Sequence, residues 1–261
     1  MKRLRAYGRV IRVLLVVMLG MSMAATFTLY ERLGIHNATD RRQRWSRFFM
    51  TRLSCALPFK VRVYGSLPSQ PVLWVSNHVS WTDIPLLGML APLSFLSKAE
   101  VRTWPIAGWL AQKAGTLFIR RGAGDSQLLR RQITGHLQDR QSLLIFPEGT
   151  TTDGRDLRTF HGRLLAGAID AGVPLQPVAL RYLRNGETDP IAPFIGEDDL
   201  LSHLMRLFAN DPSEVEVHLL APIQSAGQER AVLAFQAQQA VQVALFGEGE
   251  PVVIRRARAA A

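Results

Sequence analysis

The chain has 261 residues and a formal net charge of +10, because Lys and Arg number 31 against 21 Asp and Glu. This length suits one domain with a sizeable core and a terminal appendage, and it argues against two catalytic domains. The charge favours an anionic partner, either a membrane surface or nucleic acid. Cys55 is the single cysteine, so an internal disulfide is excluded, and no Cys/His set has zinc spacing. We expect a reducing compartment and no bound metal.

The N-terminal stretch predicts a membrane-associated pair of helices. Residues 13–29 are uncharged and mostly apolar, a run longer than the core of a cleaved signal peptide. Basic residues flank the run on both sides, so the positive-inside rule gives no clear orientation. They are Lys2, Arg3, Arg5, Arg9 and Arg12 before the run, and Arg32, Arg41, Arg42, Arg44 and Arg47 after it. A helix that enters one leaflet and returns through a second, amphipathic helix would keep both clusters on the cytoplasmic side. A plain helical pair packed on the domain is the alternative.

From residue 61 onward, short β-rich runs alternate with helical patterns. This alternation predicts an α/β fold, a single layered domain with a mostly parallel central sheet. The predicted strands cover 61–64, 72–75, 94–96, 116–119, 143–146, 175–180 and 215–220. The predicted helices cover 84–90, 106–114, 126–138, 164–171 and 228–245. We therefore divide the chain into membrane-associated helices at 1–58, the α/β domain at 59–246 and a disordered basic tail at 247–261.

Residues 74–85 join the end of a predicted strand to the start of a predicted helix. Thr82, followed by an acid and a proline, is typical of a capped helix start, which places His78 in the loop and Asp83 at the first helical position. The Asp83 carboxylate can then accept a hydrogen bond from one imidazole nitrogen and leave the other as a base. On spacing alone, a loop histidine that catalyses nothing is the more common explanation.

Four ordered sequence blocks between residues 72 and 178 carry a family resemblance. They are Asn77-His78-x4-Asp83, residues 115–121 (Gly-Thr-Leu-Phe-Ile-Arg-Arg), residues 146–150 (Phe-Pro-Glu-Gly-Thr) and residues 173–178 (Val-Pro-Leu-Gln-Pro-Val). Together they resemble the signature blocks of the glycerolipid acyltransferases, the family that includes 1-acyl-sn-glycerol-3-phosphate acyltransferase. Their number and order make the resemblance specific.

The resemblance implies acyl transfer from a thioester to a hydroxyl. His78 would take the proton of the acceptor hydroxyl, and Asp83 would orient the imidazole and stabilise the imidazolium. The freed oxygen would attack the thioester directly. The sequence has no Gly-x-Ser-x-Gly motif, so we expect no serine nucleophile in its usual setting.

The second block implies a binding site for the acceptor phosphate. Its last arginine matches Arg121, whose guanidinium can grip a phosphate with two hydrogen bonds. Arg120 and Lys98 would add charge beside it. A solvated basic rim is the alternative explanation for all three residues.

The third block adds further candidates for substrate binding. Glu148 would hold the phosphate-binding arginine, and Gly149 followed by Thr150 would let backbone amides approach the ligand. Thr151 departs from the commonest family pattern, which has an arginine there. This departure puts one phosphate contact in doubt and leaves room for another acceptor head group.

We therefore predict a membrane-bound enzyme that acylates the sn-2 hydroxyl of 1-acylglycerol 3-phosphate to give phosphatidic acid. Acyl-CoA or acyl-carrier-protein would be the donor, without a further cofactor, and the enzyme would lie on the cytoplasmic face of the cell inner membrane, against anionic lipid. One alternative keeps the chemistry and changes the acceptor, for example to a lyso-ornithine lipid. A non-catalytic lipid-binding protein is another. Nucleic-acid binding is not expected, because no nucleic-acid motif is present.

Overall fold

The computed structural model describes residues 2–34, 38–119 and 126–247. Two long helices precede an α/β unit, as the sequence predicts. The strands are β1 (Phe59–Tyr64), β2 (Leu73–Ser76), β3 (Leu93–Lys98), β4 (Leu117–Ile119), β5 (Ser142–Ile145), β6 (Leu175–Arg184), β7 (Glu187–Thr188) and β8 (Ser213–Leu219). The helices are α1 (Lys2–Arg32), α2 (Ala38–Ala56), α3 (Asp83–Gly88), α4 (Ala107–Lys113), α5 (Ser126–Gln138), α6 (Ala166–Ala171), α7 (Leu200–Ala209) and α8 (Arg230–Phe246). The predicted basic tail lies almost entirely outside the described residues.

The strands form one mostly parallel sheet with the order β1-β8-β6-β2-β5-β3-β4, and β7 pairs with β6. The run from β6 to β4 is parallel throughout, whereas β8 is antiparallel to β6. The predicted α/β class with a mostly parallel sheet is therefore confirmed. Because the central strands are parallel, the carboxyl ends of β2, β3, β4 and β5 lie at one edge of the sheet, where ligands bind in open α/β sheets.

Both faces of the sheet are covered, which explains why the central strands are mostly apolar on both faces. Along β2, Leu73 and Val75 face one core and Trp74 faces the other, because side chains alternate along a strand. The Trp74 core includes Leu86 of α3, and the opposite core includes Leu233 of α8. The sheet therefore holds the loop after β2 on a rigid base.

The helix α7 and the short strand β7 were not predicted from the sequence. The helix α7 begins after Asp199, whose carboxylate caps it by accepting the amide of Ser202 at 2.9 Å. The strand β6 extends beyond the predicted end at residue 180, because it pairs with β8 as far as Leu183 and with β7 at its end. In addition, α6 starts later than predicted, since Gly162–Leu165 forms a 3₁₀ turn.

The helix α1 packs against the domain near both of its ends. Near its start, the Arg9 guanidinium donates to the carbonyls of Phe208 and Asn210, at 2.8 and 2.6 Å, where α7 ends. At its other end, Glu31 pairs with Lys113 of α4 at 2.7 Å. Between these contacts α1 packs on α2, where the rings of Phe27 and Trp45 meet edge-on with centroids 4.8 Å apart. The side chains of Lys2 and Arg3 are not described.

The outward side of α1 is apolar. Large side chains that are exposed there include Tyr7, Ile11, Leu14, Leu15 and Met18. Within the described part of the chain, α1 is the one helix with the length and composition to cross a membrane, over Leu4–Arg32. An exposed apolar stripe of this size marks an interaction surface.

Candidate active site

The centre of the site is the loop between β2 and α3, residues 77–82, which we call the histidine loop. His78 Nδ1 lies 2.7 Å from Asp83 Oδ2. The same carboxylate oxygen accepts the backbone N–H groups of Val79 at 2.8 Å and Ser80 at 3.0 Å. A carboxylate accepts hydrogen bonds, so Nδ1 carries the proton and Nε2 is the basic nitrogen. Asp83 is fully buried, whereas the His78 side chain is 18% exposed.

The second oxygen of Asp83 is held by a residue from β6. Tyr182 donates its hydroxyl to Asp83 Oδ1 at 2.5 Å, and the hydroxyl of Thr82 lies 2.8 Å from the tyrosine oxygen. Burial, followed by the neighbouring Asp83 charge, raises the pKa of Tyr182 well above its ordinary value, so this hydroxyl stays protonated. Thr82 makes no cap hydrogen bond to α3, and the predicted capping role is wrong, because its side chain is directed to Tyr182 instead.

Glu148, in the turn after β5, connects two loops through backbone amides. Its Oε1 accepts the N–H of His78 at 2.8 Å and its Oε2 accepts the N–H of Arg158 at 2.8 Å. Burial raises the pKa of Glu148, and these two hydrogen bonds oppose that shift. The left-handed backbone of Gly149, with φ of 73°, closes the turn. In the same turn the Phe146 ring stacks on the imidazole of His78, with ring centroids 3.9 Å apart.

Further hydrogen bonds hold the histidine loop at Asn77 and at the carbonyl of His78. The Asn77 side chain exchanges two hydrogen bonds with the backbone of Leu180, at 2.8 and 2.9 Å, and so continues the pairing of β2 with β6. The amide of Thr152 donates to the carbonyl of His78 at 2.8 Å. His78 is therefore held by hydrogen bonds to its amide, its carbonyl and its ring.

Trp81 connects the histidine loop to α7. Its indole N–H donates to Nδ1 of the buried His203 at 3.0 Å, and His203 Nε2 donates to the carbonyl of Ala192 at 3.1 Å. Burial, followed by the charge of Arg206, lowers the pKa of His203, which favours this neutral tautomer. Trp81 also packs against an apolar cluster to which α1 and α7 both contribute, so the long N-terminal helix and the site loop share one cluster.

Comparison with known proteins identifies the family. A family model described as Acyltransferase matches residues 60–181. The chain is 60% identical over 257 residues to the lyso-ornithine lipid O-acyltransferase of Pseudomonas aeruginosa, an alignment that covers 98% of this chain and 100% of that protein. This chain is a member of the acyltransferase family. The resemblance drawn from the four sequence blocks is confirmed, and so is the prediction of an acyltransferase that acts on a lysolipid.

Other acyltransferases match less closely. The 1-acyl-sn-glycerol-3-phosphate acyltransferase of Neisseria gonorrhoeae is 30% identical over 202 residues, which covers 76% of this chain and 79% of that protein. The crystal structure of the 1-acyl-sn-glycerophosphate acyltransferase of Thermotoga maritima superposes with a TM-score of 0.62 at 20% identity, over 91% of this chain and 96% of that one. The second match supports the shared acyltransferase fold.

Those predicted substrate-binding residues that the structure describes lie at the same edge of the sheet as the histidine loop. Lys98 is exposed at the carboxyl end of β3, and Gly149 and Thr150 are half-buried in the loop after β5. Arg120 and Arg121 lie outside the described residues. Both oxygens of Glu148 accept backbone amides, so this residue contacts the histidine loop directly. Its expected contact with Arg121 involves a residue outside the described ranges and stays a prediction.

Proposed function

We propose that this acyltransferase transfers a fatty acyl group from a thioester donor to the hydroxyl of a lyso-ornithine lipid. The observation that carries the proposal is the 60% identity, over nearly the whole of both chains, to a protein of that activity. The four sequence blocks favour lysophosphatidic acid first and lyso-ornithine lipid second, whereas this similarity favours the second. Thr151 agrees with that choice, because its hydroxyl donates to the carbonyl of Phe194 at 2.5 Å at the position where a phosphate-binding arginine is common.

In the proposed reaction His78 is the general base. Its Nε2 takes the proton of the acceptor hydroxyl as the oxygen attacks the carbonyl carbon of the thioester. The tetrahedral intermediate then collapses, the C–S bond breaks, and the imidazolium returns the proton to the leaving thiolate. The enzyme forms no covalent intermediate. Acyl-CoA and acyl-carrier-protein both supply the required thioester.

Asp83 is the positioning group for the base. It accepts hydrogen bonds from the imidazole, from two backbone amides and from Tyr182, so its carboxylate has one orientation in a water-free setting. A buried negative charge 2.7 Å from Nδ1 stabilises the imidazolium that forms during the reaction. Glu148 contributes by holding the backbone of His78 in place.

We further propose that α1 and α2 lie within one leaflet of the inner membrane, with the α/β domain on the cytoplasmic side. Both ends of α1 contact the same domain, through Arg9 and Glu31, so the helix runs along the domain and leaves its apolar side for lipid. Replacing Ile11, Leu15 and Met18 together by Lys should abolish flotation with uncharged phosphatidylcholine vesicles while the fold is retained, because all three side chains are exposed and no anionic lipid is present to attract the added charge. Leu67→Lys, at another exposed leucine, is the matched control.

Lysophosphatidic acid is the second candidate acceptor. The observation in its favour is the 30% identity to the enzyme of Neisseria gonorrhoeae. If it is the acceptor, Arg121→Lys should raise the acceptor KM and leave donor affinity unchanged, because lysine keeps the charge and loses the two-pronged hydrogen bonding. A lyso-ornithine lipid contains no phosphate for Arg121 to bind, so the same substitution should change its KM much less.

The acceptor assay uses purified full-length protein in detergent. Each lysolipid of a panel is offered with acyl-CoA and, separately, with acyl-carrier-protein, and product is quantified by mass spectrometry. We expect acylation of lyso-ornithine lipid, and none by His78→Ala. Turnover of lysophosphatidic acid alone would favour the second candidate, and no turnover of any acceptor would favour a non-catalytic lipid-binding protein.

A further inference from the structure

A cavity of about 440 Å³ is formed by segments that hydrogen-bond to the histidine loop. Its walls are the turn at residues 153–155, the segment between β7 and α7, and Arg206 of α7. The segment is tied to the histidine loop, because the amide of Phe194 donates to the carbonyl of Val79 at 3.0 Å. This wall of the cavity is therefore hydrogen-bonded to the loop that carries the base.

The turn that forms one wall has a fixed position relative to His78. It follows Thr152, whose amide donates to the carbonyl of His78 at 2.8 Å. Gly154 has a left-handed backbone, with φ of 78°, and lies against Val79, where an added Cβ would be in ordinary contact at 3.6 Å from a methyl group. Asp153 and Arg155 flank this glycine, so they belong to a turn that is attached to the histidine loop.

The charges that line the cavity divide into paired and unpaired groups. Asp198 is paired with Arg206 at 2.7 Å, and Asp189 with Arg184 at 3.1 Å. Asp153 and Arg155 are exposed, and across the described ranges neither has an ion-pair partner; Asp153 accepts only the backbone N–H of residue 155, at 3.0 Å. One free carboxylate and one free guanidinium, two residues apart, remain on the wall.

We propose that this cavity binds the zwitterionic head group of the acceptor, with Arg155 on its carboxylate and Asp153 on its ammonium group. The assignment rests on the proposed function. An ornithine head group carries one positive and one negative charge. Each charged group is connected to the reacting hydroxyl by covalent bonds that span roughly 10 Å at most, so the head group must lie close to the base. A phosphate monoester, with nearly two negative charges, is a poor match for a wall that carries Asp153.

The test combines two variants with acceptor analogues that each lack one charge. With lyso-ornithine lipid, Asp153→Asn and Arg155→Gln should each raise the acceptor KM about 5- to 10-fold, since exposed charged contacts are modest, while kcat and the donor KM stay unchanged. Asp153→Asn should have no effect on an N-acetylated acceptor, and Arg155→Gln none on the methyl ester. Asp156→Asn and Arg131→Gln, which are exposed and outside the cavity, are the matched controls.

The outcomes separate this site from the proposed function. If wild-type enzyme acylates lyso-ornithine lipid and neither substitution changes its KM, the head-group site is wrong and the function stands. If KM rises equally for the intact acceptor and both analogues, the effect is structural and the site is again wrong. If wild-type enzyme acylates lysophosphatidic acid and leaves lyso-ornithine lipid untouched, both proposals fail.

Discussion

The substitution Tyr182→Phe tests the link between β6 and the proposed base. It removes the hydroxyl that donates to Asp83 Oδ1 and keeps the ring, which packs edge-on against Phe59 with centroids 5.4 Å apart. A buried acceptor that loses its partner costs about 1–3 kcal/mol of unfolding free energy. Since the apolar packing is retained, we expect a folded protein with a lowered melting temperature.

The kinetic effect has a defined sign. With one donor fewer, the Asp83 carboxylate stabilises the imidazolium more strongly, and His78 must lose its Nε2 proton before it can act as a base. The acidic limb of the pH profile of kcat should therefore move to higher pH, by about 0.7 unit for about 1 kcal/mol of added attraction. The plateau value of kcat should fall roughly 3- to 10-fold, because the carboxylate is less firmly oriented.

The assay is a pH series of initial rates with saturating donor and acceptor. Tyr64→Phe is the control, since Tyr64 is 42% exposed on β1 and its profile should match that of wild type. If Tyr182→Phe folds and both its acidic limb and its plateau are those of wild type, the hydroxyl does not act on the base through Asp83.

Three further predictions follow from the same geometry. His78→Ala should lower kcat by about 10²- to 10⁴-fold, and Asp83→Asn should also be severely impaired, with unchanged circular dichroism in both; retention of half the wild-type rate by His78→Ala would refute the general-base role. Glu148→Gln should lower the free energy of unfolding by about 1–3 kcal/mol in urea titrations and also lower kcat, because its new NH₂ group faces one of the two backbone amides; a neutral effect on both would contradict its role. Burial tends to raise the pKa of Asp189, but hydrogen bonds from Arg184 and a backbone amide outweigh it and lower the pKa below the ordinary 3.8. This pair therefore stabilises the fold above that pH, and its contribution is lost as the pH falls below it. In Arg184→Gln the free energy of unfolding should decrease less steeply as the pH is lowered through this range.

The local part of the site could be predicted from sequence, and the distant part could not. His78 and Asp83 are five residues apart at a strand-to-helix junction, so the chain's own geometry brings them together. Tyr182 is 99 residues from Asp83 and reaches it only because β6 pairs with β2, a strand order that no local pattern encodes. Glu148 was predicted to hold an arginine, and its contact with the backbone of His78 was missed, because a sequence does not display which backbone amides a carboxylate accepts.

The central claim is tested most directly by competition between the two acceptors. Wild-type protein receives equimolar lyso-ornithine lipid and lysophosphatidic acid in one detergent mixture with a single isotope-labelled thioester donor, and both products are quantified together. The account predicts that the label enters ornithine lipid predominantly and that His78→Ala forms neither product. Label found in phosphatidic acid alone would contradict it.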